Sequence, residues 1–235
     1  MTLQQTREAV AEGIGTFMLV LVAAGTVAVV PGNVIAAALA YGLILVAIIA
    51  TYGHISGAHV NPAVTLGLLV GGKMELNRAV IYWVSQLIGG LLAAVVLRIV
   101  LDNQPGVTTL GQTAPANGIN ALHIILIEGI LTFFLVSTVY QAAIYGKGGT
   151  VAPILIGFTL AGATLFGGTL TGASLNPART IGPALFAKET QDLIEVGNYL
   201  IGILLGATLA GFLHTDTFAQ DDDDSSGKKS RSKKR

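Results

Sequence analysis

Asn-Pro-Ala occurs twice in this chain, as Asn61-Pro62-Ala63 and Asn176-Pro177-Ala178. The preceding residues are also related, Ser56-Gly57-Ala58-His59-Val60 in one copy and Thr171-Gly172-Ala173-Ser174-Leu175 in the other. An asparagine amide offers two N–H donors and an acceptor oxygen, so two of them can hold a passing oxygen from both sides. Asn is a good helix cap and Pro is favoured at the first helical position. Each copy therefore predicts a short helix, Pro62–Val70 and Pro177–Phe186, whose N-terminus adds roughly half an elementary positive charge. Arg179 follows one turn after Asn176. Two carboxylates, Glu12 and Glu128, sit in blocks 11–20 and 127–136 that agree at most positions. Ionisable groups within apolar sequence are costly at membrane depth and mark function. From the residues alone the carboxylates fit a proton relay.

The elements that position these groups are membrane spans. Hydrophobic residues make up 52% of the 235 and charged residues only 11%, less than half the charged share of a soluble domain. A span needs about 20 mostly apolar residues. Six segments qualify, at 9–30, 34–52, 79–101, 121–144, 151–168 and 196–213. The two Asn-Pro helices are too short to cross and read as re-entrant half-helices. Each half of the chain runs Glu-bearing span, second span, half-helix, third span. Three spans per half make the halves, about 9–101 and 121–213, inverted copies. The expected fold is an all-α membrane protein of six transmembrane helices plus two re-entrant half-helices, whose Asn-bearing ends meet near the midplane.

Arg7, Lys73, Arg78 and Lys147 share one side with a basic tail, while the connection 102–120 has no Lys or Arg. Arg98 and Lys188 depart from that bias. The positive-inside rule places both termini in the cytoplasm. The expected organisation is an N-terminal cytoplasmic segment 1–8, a membrane-embedded domain 9–214 and a disordered charged tail 215–235. The first span lacks a cleavage site, and the host membrane is expected to be the cell membrane. Without cysteine, disulfides and thiolate sites are excluded. His54 and His59 have no carboxylate or thiol near them in sequence, so neither a metal nor a cofactor is expected. Nothing indicates nucleic-acid binding, and no nucleophile–base pair or phosphate-binding loop indicates an enzyme.

The block 53–67, with Asn176-Pro177-Ala178-Arg179 and the paired Glu residues, resembles the signatures of the aquaporins, the major intrinsic protein family. The resemblance covers residues 12–213. It implies a passive channel for water that excludes protons and ions, in a homotetramer within the bilayer. It also implies Asn61 and Asn176 at the pore centre and an outer filter of Tyr41, Thr164, Ala173 and Arg179. The carbonyls of Gly57, Ala58, His59, Val60, Gly172, Ser174 and Leu175 would line the pore, and Glu12 and Glu128 would support the loops. Strict water channels of the family usually carry His where Thr164 stands. Glycerol channels tend to pair Trp and Phe in the filter and to have Asp after the Arg, where this chain has Thr180. Small neutral solutes such as glycerol, ammonia or hydrogen peroxide are therefore the alternative cargo. A secondary transporter or a structural membrane protein are the other readings.

Overall fold

Most of the long helices begin where a polar side chain takes up free N–H groups of the first turn. The computed structural model describes residues 1–107, 109–187 and 191–218. Helix α1 (Leu3–Val29) starts at Thr2, which accepts from the Gln5 amide while the Gln5 side chain accepts from Thr2. Helix α2 (Val34–Ser56) starts at Asn33, and α3 (Pro62–Val70) at Asn61. Helix α4 (Leu76–Leu101) follows Glu75, which makes no side-chain cap. Asn120 and His123 cap α5 (Ala121–Val139), which continues through a π turn, Tyr140–Ile144. A 3-10 turn, Gly149–Val151, leads into α6 (Ala152–Gly167). Asn176 caps α7 (Pro177–Phe186), and Asp192 caps α8 (Leu193–Asp216).

Both half-helices have the bounds expected from sequence, and the spans differ at their ends for local reasons. The first span was expected from residue 9, yet the box of Thr2 and Gln5 starts it at Leu3, so much of segment 1–8 is helical. The second runs past Tyr52 to Ser56, where Gly57 ends it in a left-handed conformation at φ 90°. Residues 219–235, most of the expected tail, and Lys188 lie outside the described residues.

Among the described residues, six helices are long and apolar enough to cross a membrane. Their outward positions are large and apolar, among them Leu39, Phe158, Phe166 and Leu209, as a lipid-facing surface requires. The inside is built on small residues. The main contacts pair α1 with α4 in the first half and α5 with α8 in the second, while α2 meets α6 across the halves. The half-helices are exchanged: α3 packs on α8 and α7 on α4. Across that exchange Tyr140 Oη donates to the Gly67 carbonyl at 2.9 Å. Trp83 Nε1, within the first half, donates to the Pro62 carbonyl at 3.0 Å.

Close backbone approach fixes the two main pairs. A Cβ on Gly89 would lie 2.3 Å from the Gly13 carbonyl oxygen, and one on Gly206 would lie 2.0 Å from the Gly129 carbonyl oxygen. These glycines belong to the stripes Ser85-Gly89-Ala93 and Gly202-Gly206-Ala210, whose four-residue spacing is a membrane packing signature. Gly162 has nothing within 4 Å of such a Cβ. Gly206→Ala is therefore expected to destabilise the protein by about 1–3 kcal/mol, the usual cost of overpacking. Gly162→Ala should leave stability equal or slightly higher. Thermal unfolding in detergent, with both variants side by side, checks the difference.

Candidate functional site

The segments that precede the half-helices hold conformations that most side chains avoid. Gly57 and Gly172 have φ of 90° and 83°. Ala58, Val60, Ala173 and Leu175 have φ of 47°, 44°, 47° and 54°. For β-branched Val60 this is a strained state that its surroundings must impose.

Glu12 and Glu128 impose it. Glu12, fully buried, accepts from the backbone N–H of His59 at 2.9 Å and of Val60 at 2.7 Å. It also accepts from Ser56 Oγ at 2.7 Å and Gln86 Nε2 at 2.8 Å. Glu128, equally buried, accepts from the N–H of Ser174 at 3.1 Å and of Leu175 at 2.9 Å, and from Thr171 Oγ1 at 2.7 Å. A tyrosine braces each segment from outside: Tyr82 Oη donates to the Ser56 carbonyl and Tyr199 Oη to the Thr171 carbonyl, both at 2.6 Å.

Each asparagine does two things. Asn61 Oδ1 accepts from Ala63 N–H, and Asn176 Oδ1 from Ala178 and Arg179 N–H, which caps the half-helices. Asn61 Nδ2 donates to the Leu175 carbonyl at 2.8 Å, and Asn176 Nδ2 to the Val60 carbonyl at 2.9 Å. The ends of α3 and α7 are thereby tied together, and both helices run outward from one centre. An amide nitrogen carries two hydrogens, so each Nδ2 keeps one beyond this bond.

A cavity of about 50 Å³ passes these groups. Its wall includes Gly57, Ala58, His59, Val60, Asn61, Ser174, Asn176, Tyr41 and Arg179, with Leu45, Ile49 and Leu160 among its apolar members. A water needs roughly 10–15 Å³ by this measure, so the cavity holds only a few in file. A second cavity, lined by Asn33, Gln112, Thr164 and Gly172, begins on the other side of Arg179, which borders both. Arg179 is 1% exposed. Its Nε donates to Tyr41 Oη and its Nη2 to the Gly111 carbonyl at 2.6 Å, while Nη1 has no partner among the described residues.

The expected site residues are mostly brought together, with three exceptions. Val60 borders the first cavity, but its carbonyl is taken by Asn176. Ala173 and Leu175 line neither cavity. Ala173 lies against Gly167, and the Leu175 carbonyl is taken by Asn61. Thr164 borders the second cavity with its hydroxyl turned back onto the Leu160 carbonyl at 2.9 Å.

Sequence reasoning missed four contributors, Gln86, Tyr82, Tyr199 and the Gly111 carbonyl. Gln86 joins Glu12 to Thr65 Oγ1 at 3.0 Å, and Thr65 lies 3.1 Å from His59 Nδ1. A glutamine inside a span was the signal for it. Tyr82 and Tyr199 could have been paired through the repeat. The Gly111 carbonyl had no signal, because a loop's backbone aim is not written in its residue types.

The model of the major intrinsic protein family matches residues 1–214. "Probable aquaporin TIP-type RB7-5A" of Nicotiana tabacum is 39% identical over 222 residues, covering 89% of this chain and 86% of that protein. Aquaporin TIP1-2 of Zea mays is 37% identical over 225 residues, covering 90% of this chain and 86% of that protein. Among solved structures, the aquaglyceroporin from Plasmodium falciparum superposes with a TM-score of 0.80 at 22% identity, over 92% of this chain and 97% of that one, a likeness of fold. With its paired asparagines and its buried arginine on opposed half-helices, the chain belongs to the major intrinsic protein family.

Proposed function

We propose that this protein is a passive membrane channel that carries water and excludes protons and ions. The observation that carries the reading is the reciprocal tie of Asn61 and Asn176 to the opposite segment's carbonyl, each with one amide hydrogen left over. A water oxygen at the centre accepts from both amides, which turns its own hydrogens outward along the file. The chain of donors that proton hopping needs is then interrupted. The N-termini of α3 and α7 add two positive ends at the same point, which repel cations; this is the established account of aquaporin-type selectivity. With N–H groups held by Glu12 and Glu128, the carbonyls of Gly57, Ala58, His59, Gly172 and Ser174 are free to accept from the same file.

Tyr41, Thr164, Ala173 and Arg179 form the outer filter in this reading, with Ala173 contributing its small size rather than wall. Both termini lie on the cytoplasmic side. The protein assembles as a homotetramer, in keeping with a groove between α5 and α6 that is lined by Thr138, Gln141 and Thr159 and suits cover by a neighbouring copy. Carriage of small neutral solutes is the second reading, favoured by the Thr164 hydroxyl being turned out of the passage.

Purified protein in liposomes, under an osmotic step, is expected to shrink its vesicles faster than empty ones while an internal proton dye stays flat. Water flux at the empty-liposome level would sink the proposal. Thr164→His should lower any glycerol entry and spare water, because an imidazole fills the space beside Arg179. Glycerol flux unchanged by that substitution would remove Thr164 from the constriction. Mass measurement in mild detergent should give four copies, and a monomer would exclude the tetramer.

A further inference from the structure

The two cavities are separated at one side-chain pair, Arg179 and Tyr41. Tyr41, 1% exposed, borders the inner cavity with Arg179, and only Arg179 continues into the outer one. The guanidinium carbon stands 5.6 Å from the Tyr41 ring centroid, so the cation is held by the ring as well as by the hydroxyl. A guanidinium presents its donors as a planar fork that suits molecules with two adjacent acceptors. Here Tyr41 Oη takes the Nε hydrogen and the Gly111 carbonyl takes one from Nη2, while Nη1 keeps no protein partner among the described residues. No acceptor in the described protein takes the phenol hydrogen of Tyr41, so it too is left for the passage. The remaining filter positions cannot do this: the Thr164 hydroxyl serves Leu160, and Ala173 has none.

We propose that the Tyr41 hydroxyl is a specificity-determining latch. It closes the Nε edge of the Arg179 fork against solutes with two adjacent acceptors, the polyols, and leaves single donors that a water can use. This deepens the channel reading above and rests on it. Selection follows from occupancy of a donor as much as from width.

The test compares wild type, Tyr41→Phe and, as a second variant lacking the hydroxyl, Tyr41→Leu, in liposomes at matched incorporation. Water, glycerol and ammonia permeabilities are read for each. Loss of the latch is expected to raise the glycerol-to-water ratio about tenfold, the factor that one hydrogen bond to a charged group can supply. The ammonia-to-water ratio should stay within about twofold, because ammonia does not use a two-acceptor grip. A glycerol ratio unchanged in both variants would overturn the latch. Equal rises for glycerol and ammonia would also overturn it, since they would show simple widening. So would a parallel fall of all three fluxes, which marks a structural role. Wild-type protein without water flux would overturn the channel reading and the latch with it.

Discussion

The centre of this protein depends on two buried carboxylates facing irregular backbone. At membrane depth an N–H without a partner costs several kcal/mol, so a non-helical segment there needs an acceptor brought to it. Glu12 and Glu128 bring one on a rigid helix, and each takes two successive amides of a segment in left-handed conformation. The carboxylate's own desolvation is offset by the same bonds together with a hydroxyl, Ser56 or Thr171. Once the amides are fixed, the carbonyls have one direction left. Acceptors on the wall, capped half-helices and the reach of Asn61 and Asn176 toward each other's segments all follow from that grip.

The two halves solve this in nearly the same way, and their differences bear on function. In the first, Gln86 ties the carboxylate to Thr65 and so to His59. In the second, Ser174 and Thr180 meet directly, and Ile203 stands four residues after Tyr199 where Gln86 stands four after Tyr82. One approach to the centre therefore carries an imidazole, His59, and the other a guanidinium, Arg179. A pore built on inverted copies is pseudo-symmetric at its centre and unlike at its two mouths.

Much of this was legible before any coordinates. Asn61-Pro62 and Asn176-Pro177 fix the starts of α3 and α7 because cap and proline are local signals. The spans were legible because lipid enforces a length. Ends governed by polar caps were less so: Thr2 with Gln5 carries α1 six residues further than hydropathy indicates. Within the site, residue types announced Glu12, Glu128, Asn61, Asn176 and Arg179, since each is expensive where it stands. Aim was illegible. That Thr164 turns its hydroxyl to Leu160, that Ala173 lines neither cavity, and that Gly111 reaches Arg179 all depend on backbone direction across distant segments.

The exchange of half-helices has a consequence for how the molecule is made. Helix α3 packs on α8, the last span of the chain, and α7 packs back on α4. A ribosome that has delivered only the first half has produced a short helix that rests on α4 alone, without its main partner α8, and its Asn61 amide has no Leu175 carbonyl to meet. Contacts of such long sequence separation form late, after the entropy of closing the intervening chain is met. The junction of α3 and α7 is therefore completed last, once α8 is in the bilayer. A half-chain therefore lacks both the main support of α3 and the tie that joins the two half-helices.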